Sequence, residues 1–533
     1  MGNAELVLGP VLRHTDDTSA TVWVETSAAC AVTVLGTTAP TFEVCGHHYA
    51  LVVLTGLEPG TGYDYTVRLD GRTVWPEAAS PFPPSRIRTL PGTADARVRL
   101  VFGSCRTPAA QQGQGRDALV RYALRMAGWP PGEWPQALLL LGDQVYADEP
   151  SAETRRWLAT RRNLDEPPGA EVLDFDEYAH LYLETWSDPA VRWLMSTVPV
   201  SMIFDDHDVR DDWNTSQAWR ERMRRRPWWS GRLRSAFMTY WVYQHLGNLG
   251  PTELADDATA AVVLNGPGDK TPALRALAEI ADDDLTGAKA TRWSYRRMFG
   301  RVCLLMVDSR AGRILAGGRR SMLDEDEFRW VERNADTDCD HLLVGTSLPW
   351  LLPPAISHVE SLNEVACRRP GLRGRVAETL RQAVDLEHWA AFRSSFDRLS
   401  RLLAHIGGAP GAPASILVLS GDVHHSYIAR ARFPGPMRSV VHQLTCSPMH
   451  NAAPPVLAAA FRVAWSKPLE RLTRWWSRRA GVAPPEVRWS RTVGPCFGNA
   501  VMTLELRGRR ADALLERAGP DGLVDQARMP LAA

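Results

Sequence analysis

The first 90 residues place hydrophobic side chains at every second position in two stretches, 20–25 and 63–69. An alternation with a period of two is typical of antiparallel strands that have one face buried. A turn rich in proline and glycine, 57–62, directly precedes the second stretch, and a proline-rich stretch, 81–92, follows it. We therefore predict a small all-β sandwich over residues 1–92 that ends in a linker.

From about residue 97 the pattern changes to short, fully apolar runs that stop abruptly at polar residues. Such runs are typical of strands buried on both faces, and helix-like segments separate them, so we predict an α/β domain over 97–515. The carboxyl ends of the strands in such a sheet form the ligand-binding edge, so the polar residues behind the runs should meet there. The runs are 98–102, 137–141, 200–204, 302–307, 342–344 and 416–419.

Longer segments between these runs predict insertions in the α/β domain. Helical insertions are expected near 150–197, 215–300, 360–407 and 453–490, where Trp, Arg and Leu recur at helical spacing in several places. Within the second of them, 251–290 is polar and rich in turn residues.

Composition adds few constraints. Of 533 residues, 45% are hydrophobic and 23% charged, as in an ordinary globular protein. Lys+Arg and Asp+Glu both total 61, so no overall charge attracts a nucleic acid or a membrane. The eight cysteines form no CxxC pair, which argues against a disulfide framework or a zinc ribbon. No export signal is visible at the N-terminus, so we expect a cytoplasmic protein, with export left open if the start is misassigned.

Three polar clusters behind the apolar runs carry the candidate chemistry. Gly142 and Asp143 follow the second run, four polar residues at 205–208 follow the third, and Asp422 and His424 follow the last. Carboxylates and an imidazole this close together repel each other and desolvate poorly unless a cation neutralises them. A solvated acidic loop is the alternative for 205–208, but metal binding explains all three clusters, and the mixture of ligand types suits two unlike metals.

Three further residues lie where such a centre would need them. Cys105 ends the first run and could act as a thiolate ligand, although a lone cysteine is more often a small buried hydrophobe. The adjacent Arg106 could hold a phosphoryl oxygen. Tyr146, three residues after Asp143, could be a phenolate ligand of a hard trivalent metal.

These motifs, in this order, resemble the calcineurin-like metallophosphatase superfamily and, more narrowly, the PhoD-like alkaline phosphatases. The motifs are Ser104-Cys105, Gly142-Asp143 with Tyr146, the 205–208 cluster, and Gly421-Asp422 with His424; turns at 308–310 and 445–448 also resemble the family. The resemblance implies a four-layer αββα sandwich behind a small β-sandwich. The 1–92 region, with its turn ahead of a tyrosine-bearing strand, resembles a fibronectin type III domain.

The resemblance also implies roles for single residues. An iron would be held by Cys105, Asp143, Tyr146 and His424, and a calcium or other divalent ion by Asp143, Asp206 and Asp422, with Asp143 bridging. His207 would protonate the leaving group, with Arg106 and Arg310 as candidates for holding phosphoryl oxygens, although either arginine could be purely structural.

Three departures from the superfamily pattern leave assignments open. Asp206 stands where asparagine is usual, so Asp211, Asp212 or Asn214 could supply that ligand instead. Asp208 replaces the usual glutamate, which leaves its role in orienting His207 in doubt. His358 is the nearest candidate for the mid-chain histidine ligand, but we expect it to be a loop residue. These open assignments concern residues 206–214 and His358.

The activity expected from this set is hydrolysis of phosphate monoesters or diesters by direct attack of a hydroxide that two metals generate. Its partner would be a small phosphate ester, with no nucleic acid and no obligate protein partner required. Two alternatives remain open: a relative acting on a nucleotide, a phospholipid head group or another ester, and a non-catalytic binding protein.

One segment indicates a different kind of contact. Residues 461–479 place aromatic and aliphatic side chains at spacings of three or four among basic residues. Such a helix could lie weakly on an anionic membrane or guard the pocket, although more often it packs on its own domain.

Overall fold

The computed structural model describes residues 3–93, 97–108, 111, 113–282, 291–315, 320–452 and 455–533. Two all-β layers at the N-terminus precede a large α/β domain. The strands are β1 (Leu6–Thr15), β2 (Ala20–Thr26), β3 (Ala31–Val34), β4 (Thr37–Pro40), β5 (Phe42–Val44), β6 (His47–Leu54), β7 (Gly62–Asp64), β8 (Val67–Leu69), β9 (Arg72–Trp75), β10 (Arg86–Arg88), β11 (Val98–Gly103), β12 (Ala137–Leu141), β13 (Val200–Ile203), β14 (Tyr295–Phe299), β15 (Val302–Met306), β16 (His341–Gly345), β17 (Ser415–Ser420), β18 (Ser426–Arg432), β19 (Val440–Thr445), β20 (Arg488–Cys496), β21 (Ala500–Arg507), β22 (Arg510–Ala518) and β23 (Leu523–Ala532).

Helices occupy the segments between these strands. Short 3-10 turns lie at Pro131–Glu133, Leu246–Asn248 and Trp389–Ala391, and a π-helical turn at Tyr240–His245. The α-helices are α1 (Ala118–Met126), α2 (Ala152–Arg161), α3 (Phe175–Trp186), α4 (Pro189–Thr197), α5 (Gln217–Arg224), α6 (Trp229–Thr239), α7 (Pro251–Asp256), α8 (Ala258–Leu264), α9 (Thr271–Asp282), α10 (Glu325–Ala335), α11 (Pro354–Cys367), α12 (Leu372–Ala383), α13 (Arg393–Gly408), α14 (Pro455–Ala464) and α15 (Lys467–Arg479).

The α/β domain is built on two sheets. One has the strand order β13-β12-β11-β21-β22-β23, and the other has the order β14-β15-β16-β17-β19-β18-β20. Strands β11, β12 and β13 are parallel in the first sheet, as are β15, β16, β17 and β19 in the second. Antiparallel strands flank both parallel sets.

Three hydrophobic layers hold the sheets and helices together. Side chains of both sheets, such as Phe102, Leu139 and Leu417, form one dry layer between them. A second layer packs helices on the outer face of the first sheet, and a third packs helices against the second sheet. The predicted four-layer αββα sandwich is therefore confirmed, because burial on both faces makes the strands continuously apolar.

The N-terminal region consists of small antiparallel sheets with their own core. The orders are β1-β2-β6-β5 and β4-β3-β8-β9, with β7 and β10 as a separate pair. The predicted strand over 63–69 is interrupted, since β7 ends at Asp64 and β8 begins at Val67. Trp23 faces away from that core and packs against Trp186 and Tyr243 of the α/β domain.

The predicted apolar runs and inserted segments correspond to strands and helices of the structure. All six apolar runs coincide with strands, apart from residues 204 and 307, which lie one position beyond β13 and β15. The segment 251–282, which the sequence marks as polar and turn-rich, forms α7, α8 and α9. Residues 283–290 lie outside the described part of the chain. The first sheet continues through β23, beyond position 515, where we placed the end of the domain. Among the residues that the structure describes, no helix combines the length and hydrophobicity needed to cross a bilayer.

Candidate metal centre

The ends of strands from both sheets converge on one point. Cys105 follows β11, Asp143 follows β12 and Asp206 follows β13, while Asp422 follows β17 of the other sheet. The backbone N–H of Cys105 donates to the Gly142 carbonyl at 3.4 Å. Residues far apart in the sequence therefore meet because parallel strands end at the same edge.

Four of the predicted ligands have left-handed backbone conformations. The φ angles are 55° for Cys105, 51° for Asp143, 67° for Asp422 and 47° for His424. A non-glycine residue in a strained region costs about 1–3 kcal/mol and persists only where the surrounding structure fixes it. The sharp turns after the strands thus direct these side chains into the centre.

Two glycines allow the turns to approach each other. A Cβ atom on Gly142, whose φ is 104°, would lie 2.6 Å from the Asp205 Cβ. A Cβ atom on Gly421 would lie 2.0 Å from the Ser104 Oγ. Glycine at both positions is therefore a steric requirement of the centre.

A compact carboxylate cluster lies at the convergence point. Asp143, Asp205, Asp206 and Asp422 each offer an oxygen, and these atoms all lie within 4.8 Å of one another. Burial raises the pKa values of Asp143, Asp205 and Asp206, although the Arg310 charge opposes the shift of Asp205 and Asp206. Asp143 Oδ1 and Asp205 Oδ2 are buried without a hydrogen-bond partner among the described residues. Oxygens left without partners among like charges fit a cation site.

Arg310 supplies positive charge to the same cluster. Its buried guanidinium lies 2.5 Å from Asp205, 3.2 Å from Asp206, 2.6 Å from Glu387 and 3.5 Å from Asp422. The structure thus places Arg310 in the centre as a neutralising side chain. Its role in holding a phosphoryl oxygen stays a prediction.

The predicted sulfur and phenol ligands, Cys105 and Tyr146, lie on one side of Asp143. The Cys105 thiol donates to Asp143 Oδ2 at 3.1 Å, and Ser447 Oγ donates to the Cys105 sulfur at 3.2 Å. The Tyr146 hydroxyl accepts from Asn451 Nδ2 at 3.0 Å. Burial raises the pKa of Cys105 to about 12 and that of Tyr146 well above its usual range, with the Cys105 and Asp143 charges adding to the second shift. Both groups are neutral without a cation, and a bound metal would favour their anions.

His424 completes that side. It is fully buried, burial lowers its pKa to about 4, and the charges of Asp422 and His207 both act on it. Its backbone N–H donates to Ser447 Oγ at 3.3 Å, so Ser447 bonds to both Cys105 and His424. A neutral imidazole is the form that binds metals.

His207 is oriented by a residue that the sequence did not single out. Its Nδ1 donates to Asp148 Oδ1 at 2.9 Å, and its ring lies 4.6 Å from the Tyr146 ring. Burial opposes protonation of His207, but the Asp148 carboxylate outweighs it and raises the histidine pKa. The doubt about Asp208 is thereby resolved, because Asp148 is the carboxylate hydrogen-bonded to His207.

Asp208 instead fixes the loop backbone. It accepts hydrogen bonds from the N–H groups of Gln144 and Val145 at 3.2 and 3.3 Å, and from the N–H of Asp205 at 3.0 Å. Burial raises its pKa to about 7 despite these bonds. The shorter side chain at this position thus ties the loop after β12 to the loop after β13.

A third histidine, His388, lies beside the centre, and the sequence did not single it out. His388 Nε2 donates to Asp422 Oδ2 at 3.1 Å, and its Nδ1 donates to Glu360 Oε1 at 2.9 Å. Burial is opposed by Glu360 and Asp422, whose charges raise the pKa of His388 to about 10. His358, the candidate named from the sequence, lies on helix α11 and not in a loop, with its Nδ1 3.1 Å from Thr473 Oγ1. The mid-chain histidine beside the centre is therefore His388.

The remaining predicted residues lie as follows. Asp206 is itself in the cluster, while the Asp212 N–H donates to Asp206 Oδ2 at 3.1 Å and Asn214 Nδ2 donates to the Arg310 carbonyl at 3.1 Å. The Arg106 guanidinium binds Asp117 at 2.8 Å and the Thr185 carbonyl at 2.7 Å. These contacts are those of a structural arginine, and its role in phosphate binding stays a prediction.

The chain is similar to known proteins in two segments of its sequence and in its overall fold. The family model PhoD-like phosphatase matches residues 126–253, which carry Asp143, Tyr146, Asp206 and His207. A domain of unknown function, DUF7800, matches residues 3–87, so the fibronectin-like character of this region stays a prediction. A solved structure described as that of PhoD has the same fold over 99% of this chain and 93% of its own, with a TM-score of 0.58 at 12% identity.

No curated protein sequence matches the chain. The predicted PhoD-like character is nevertheless confirmed for residues 126–253, which the family model matches and which carry Asp143 and the 205–208 cluster. The chain is therefore similar to the PhoD-like phosphatases in this segment of its sequence and to PhoD in its overall fold.

Proposed function

We propose that this phosphatase hydrolyses phosphate monoesters or diesters by direct attack of water at a two-metal centre. The observation that carries the proposal is the buried cluster of Asp143, Asp205, Asp206 and Asp422 next to His207. Arg310 and His388 each contact a carboxylate of this cluster, yet Asp143 Oδ1 and Asp205 Oδ2 have no hydrogen-bond partner among the described residues.

The donor set favours two different metals. Cys105, Asp143, Tyr146 and His424 would hold iron, because sulfur, phenolate and imidazole suit that metal. Asp143, Asp206 and Asp422 would hold calcium or another divalent cation, with Asp205 as a further oxygen donor. Bound metals would activate water as the nucleophile and neutralise phosphoryl charge.

His207 is placed to act as the general acid. Asp148 accepts from Nδ1, which leaves Nε2 as the nitrogen that can give a proton to the leaving oxygen. The raised pKa keeps the ring protonated, and the same carboxylate fixes the ring plane. We therefore assign proton donation to Nε2 of His207, with Asp148 as its positioning residue.

Hydrolysis of p-nitrophenyl phosphate and bis-p-nitrophenyl phosphate by the metal-replete protein tests the proposal. Asp143→Asn should lower kcat by more than about 100-fold, since even outer partners of metal ligands are worth about 10- to 100-fold. Asp521→Asn, an exposed aspartate elsewhere, is the matched control and should leave the rate unchanged. Inactive protein that holds two metals would favour the alternative of a non-catalytic binding protein.

Activity on nucleotides or phospholipid head groups but not on either chromogenic substrate would favour the more specialised hydrolase.

Metal analysis of the purified protein tests the proposed pair of iron and a divalent cation. Iron together with one divalent ion per chain is expected, and a centre that contains only zinc or only magnesium would contradict the assignment of Tyr146 as a ligand.

A further inference from the structure

Helix α15 contacts the rest of the protein through small polar residues. Thr473 and Ser477 are buried, and both bond to His358 of α11: Thr473 Oγ1 lies 3.1 Å from its Nδ1, and Ser477 Oγ donates to its carbonyl at 3.1 Å. The two residues are four apart and so lie on one side of the helix. The inner side of α15 is therefore the polar one.

The outer side of α15 carries the large apolar residues. Leu472 is 43% exposed, Trp475 is 52% exposed and Trp476 is 48% exposed. On α14, Val456 and Val463 are also exposed. A surface helix normally buries its apolar side against its own core. Helix α15 does the opposite, and α14 leaves part of its apolar surface exposed; we call this pair of helices the arm (residues 455–479).

Basic residues surround the exposed apolar side chains. Glu470 is the single carboxylate within the arm, and Lys467 at 3.4 Å and Arg474 already pair with it. The chain as a whole has equal numbers of basic and acidic residues, so the excess of positive charge is local. The exposed basic residues are Arg462, Lys467, Arg471, Arg478 and Arg479.

A second helix on the same support has a similar surface. Leu372, Val376, Leu380 and Val384 follow one another at intervals of four from the start of α12 to the residue after it, and all four are exposed. Both α12 and α15 pack on α11. Apolar side chains are thus exposed on two neighbours of one helix, in a region rich in arginine.

We propose that the arm docks on the surface of an anionic lipid bilayer. Tryptophan side chains are favoured at the depth of the lipid head groups, and arginines beside them attract anionic lipids. A second copy of this chain fits less well, because a symmetric contact through the arm would bring basic residues together. Charge complementarity therefore selects an anionic bilayer as the partner.

The arm also lies against the metal-binding loop. Phe461 of α14 packs on His425, with ring centroids 4.1 Å apart, and His425 follows His424 directly. Trp465 packs on Tyr427 at 5.1 Å. Docking would therefore bring the loop that holds Asp422 and His424 close to the bilayer surface.

Sedimentation of the full-length protein with vesicles tests the proposal without any substrate, so the result is independent of the proposed activity. Vesicles of phosphatidylcholine with one part in three of phosphatidylglycerol should bind the protein at low salt, and pure phosphatidylcholine should bind it much more weakly. Arg478→Gln with Arg479→Gln should weaken binding about 30-fold, since each basic residue near an anionic surface contributes about fivefold. Trp475→Ser with Trp476→Ser should weaken it about tenfold.

Matched controls separate the arm from general charge. Arg507→Gln with Arg510→Gln removes the same charge from an exposed hairpin and should leave binding unchanged. Equal loss in that control, equal binding to neutral vesicles, or no binding at all would overturn the proposal. Dimerisation that the tryptophan variant abolishes, seen by sedimentation velocity, would assign the arm to a second copy and would overturn it as well.

Discussion

Replacing Asp148 by asparagine isolates the contribution of the His207 carboxylate partner. The side chain keeps its size and can still accept a hydrogen bond from the Asp211 N–H, which now donates to Asp148 Oδ2 at 2.8 Å. What is lost is the negative charge 2.9 Å from His207 Nδ1. A hydrogen bond to a charged group contributes about 1.5–3 kcal/mol. Because about 1.4 kcal/mol is a factor of ten in rate, kcat should fall between about 10- and 150-fold.

The dependence on the leaving group distinguishes proton donation from a structural effect. p-Nitrophenolate leaves readily without a proton, whereas the phenolate and alkoxide of phenyl and alkyl phosphates need one. Asp148→Asn should therefore slow the poor substrates by the full factor and p-nitrophenyl phosphate by much less. Kinetic assays over a series of substituted phenyl phosphates give this ratio directly.

Three control measurements distinguish the loss of proton donation from damage to the whole site. Metal content and Tm of the variant should stay close to those of the parent protein, and Asp211→Asn should change kcat by less than about threefold, because Asp211 is largely exposed and lies 3.9 Å from His207 Nε2. An equal loss of rate on every substrate would refute the assignment of His207 and Asp148 as the proton-donating pair.

Three further predictions test the ligands and the turns. Tyr146→Phe should abolish a phenolate-to-iron absorption band in the visible spectrum, and a variant that retains both band and iron would show that Tyr146 is not a ligand. His388→Gln should lower the affinity of the protein for metal by about 10- to 100-fold, as measured by metal titration. His358→Gln on helix α11 should leave that affinity unchanged. Gly421→Ala should cost about 1–3 kcal/mol in the free energy of unfolding by denaturant and remove activity, whereas Gly411→Ala, whose Cβ would meet no atom within 4 Å, should be tolerated.

The sheet strands of the α/β domain could be predicted because burial on both faces leaves a clear mark in the sequence. The run 137–141 is fully buried as β12, and 416–419 lies within the fully buried β17. The same reasoning placed Asp143 and Asp422 at one edge, since both directly follow buried parallel strands. Local sequence was therefore enough to identify the candidate ligands that lie just after a strand.

His388 could not be found in this way because it follows a helix and a turn. Its partner Asp422 is 34 residues further along the chain, and only the tertiary fold brings them together. A signal was nevertheless present: Asp385, Glu387 and His388 form an acidic and imidazole cluster like that at 205–208. The helices over 251–282 lie within the helical insertion predicted near 215–300, but their bounds could not be predicted, since polar surfaces and turn residues such as those at 266–269 masked the helical spacing.

Asp148 shows a limit of motif comparison. A carboxylate beside His207 was expected from position 208, but the geometry of the turn decides which acid can reach Nδ1. Asp208 accepts three backbone N–H groups, which commits its oxygens to the loops. The sequence shows that acids are present, whereas the backbone directions determine their roles.

The N-terminal sheets contribute to the support of the metal centre. Arg13 on β1 is fully buried in the α/β domain, where it donates to the carbonyl groups of Tyr243 at 2.6 Å and of Gln244. Gln244 Nε2 in turn donates to Asp208 Oδ1 at 3.2 Å. Asp208 holds the loops that carry Asp143 and Asp205, so a chain of hydrogen bonds leads from the N-terminal strand to the carboxylate cluster. Because a buried guanidinium without its acceptors is costly, this contact couples the stability of the N-terminal strand to that of the π-helical turn behind the carboxylate cluster.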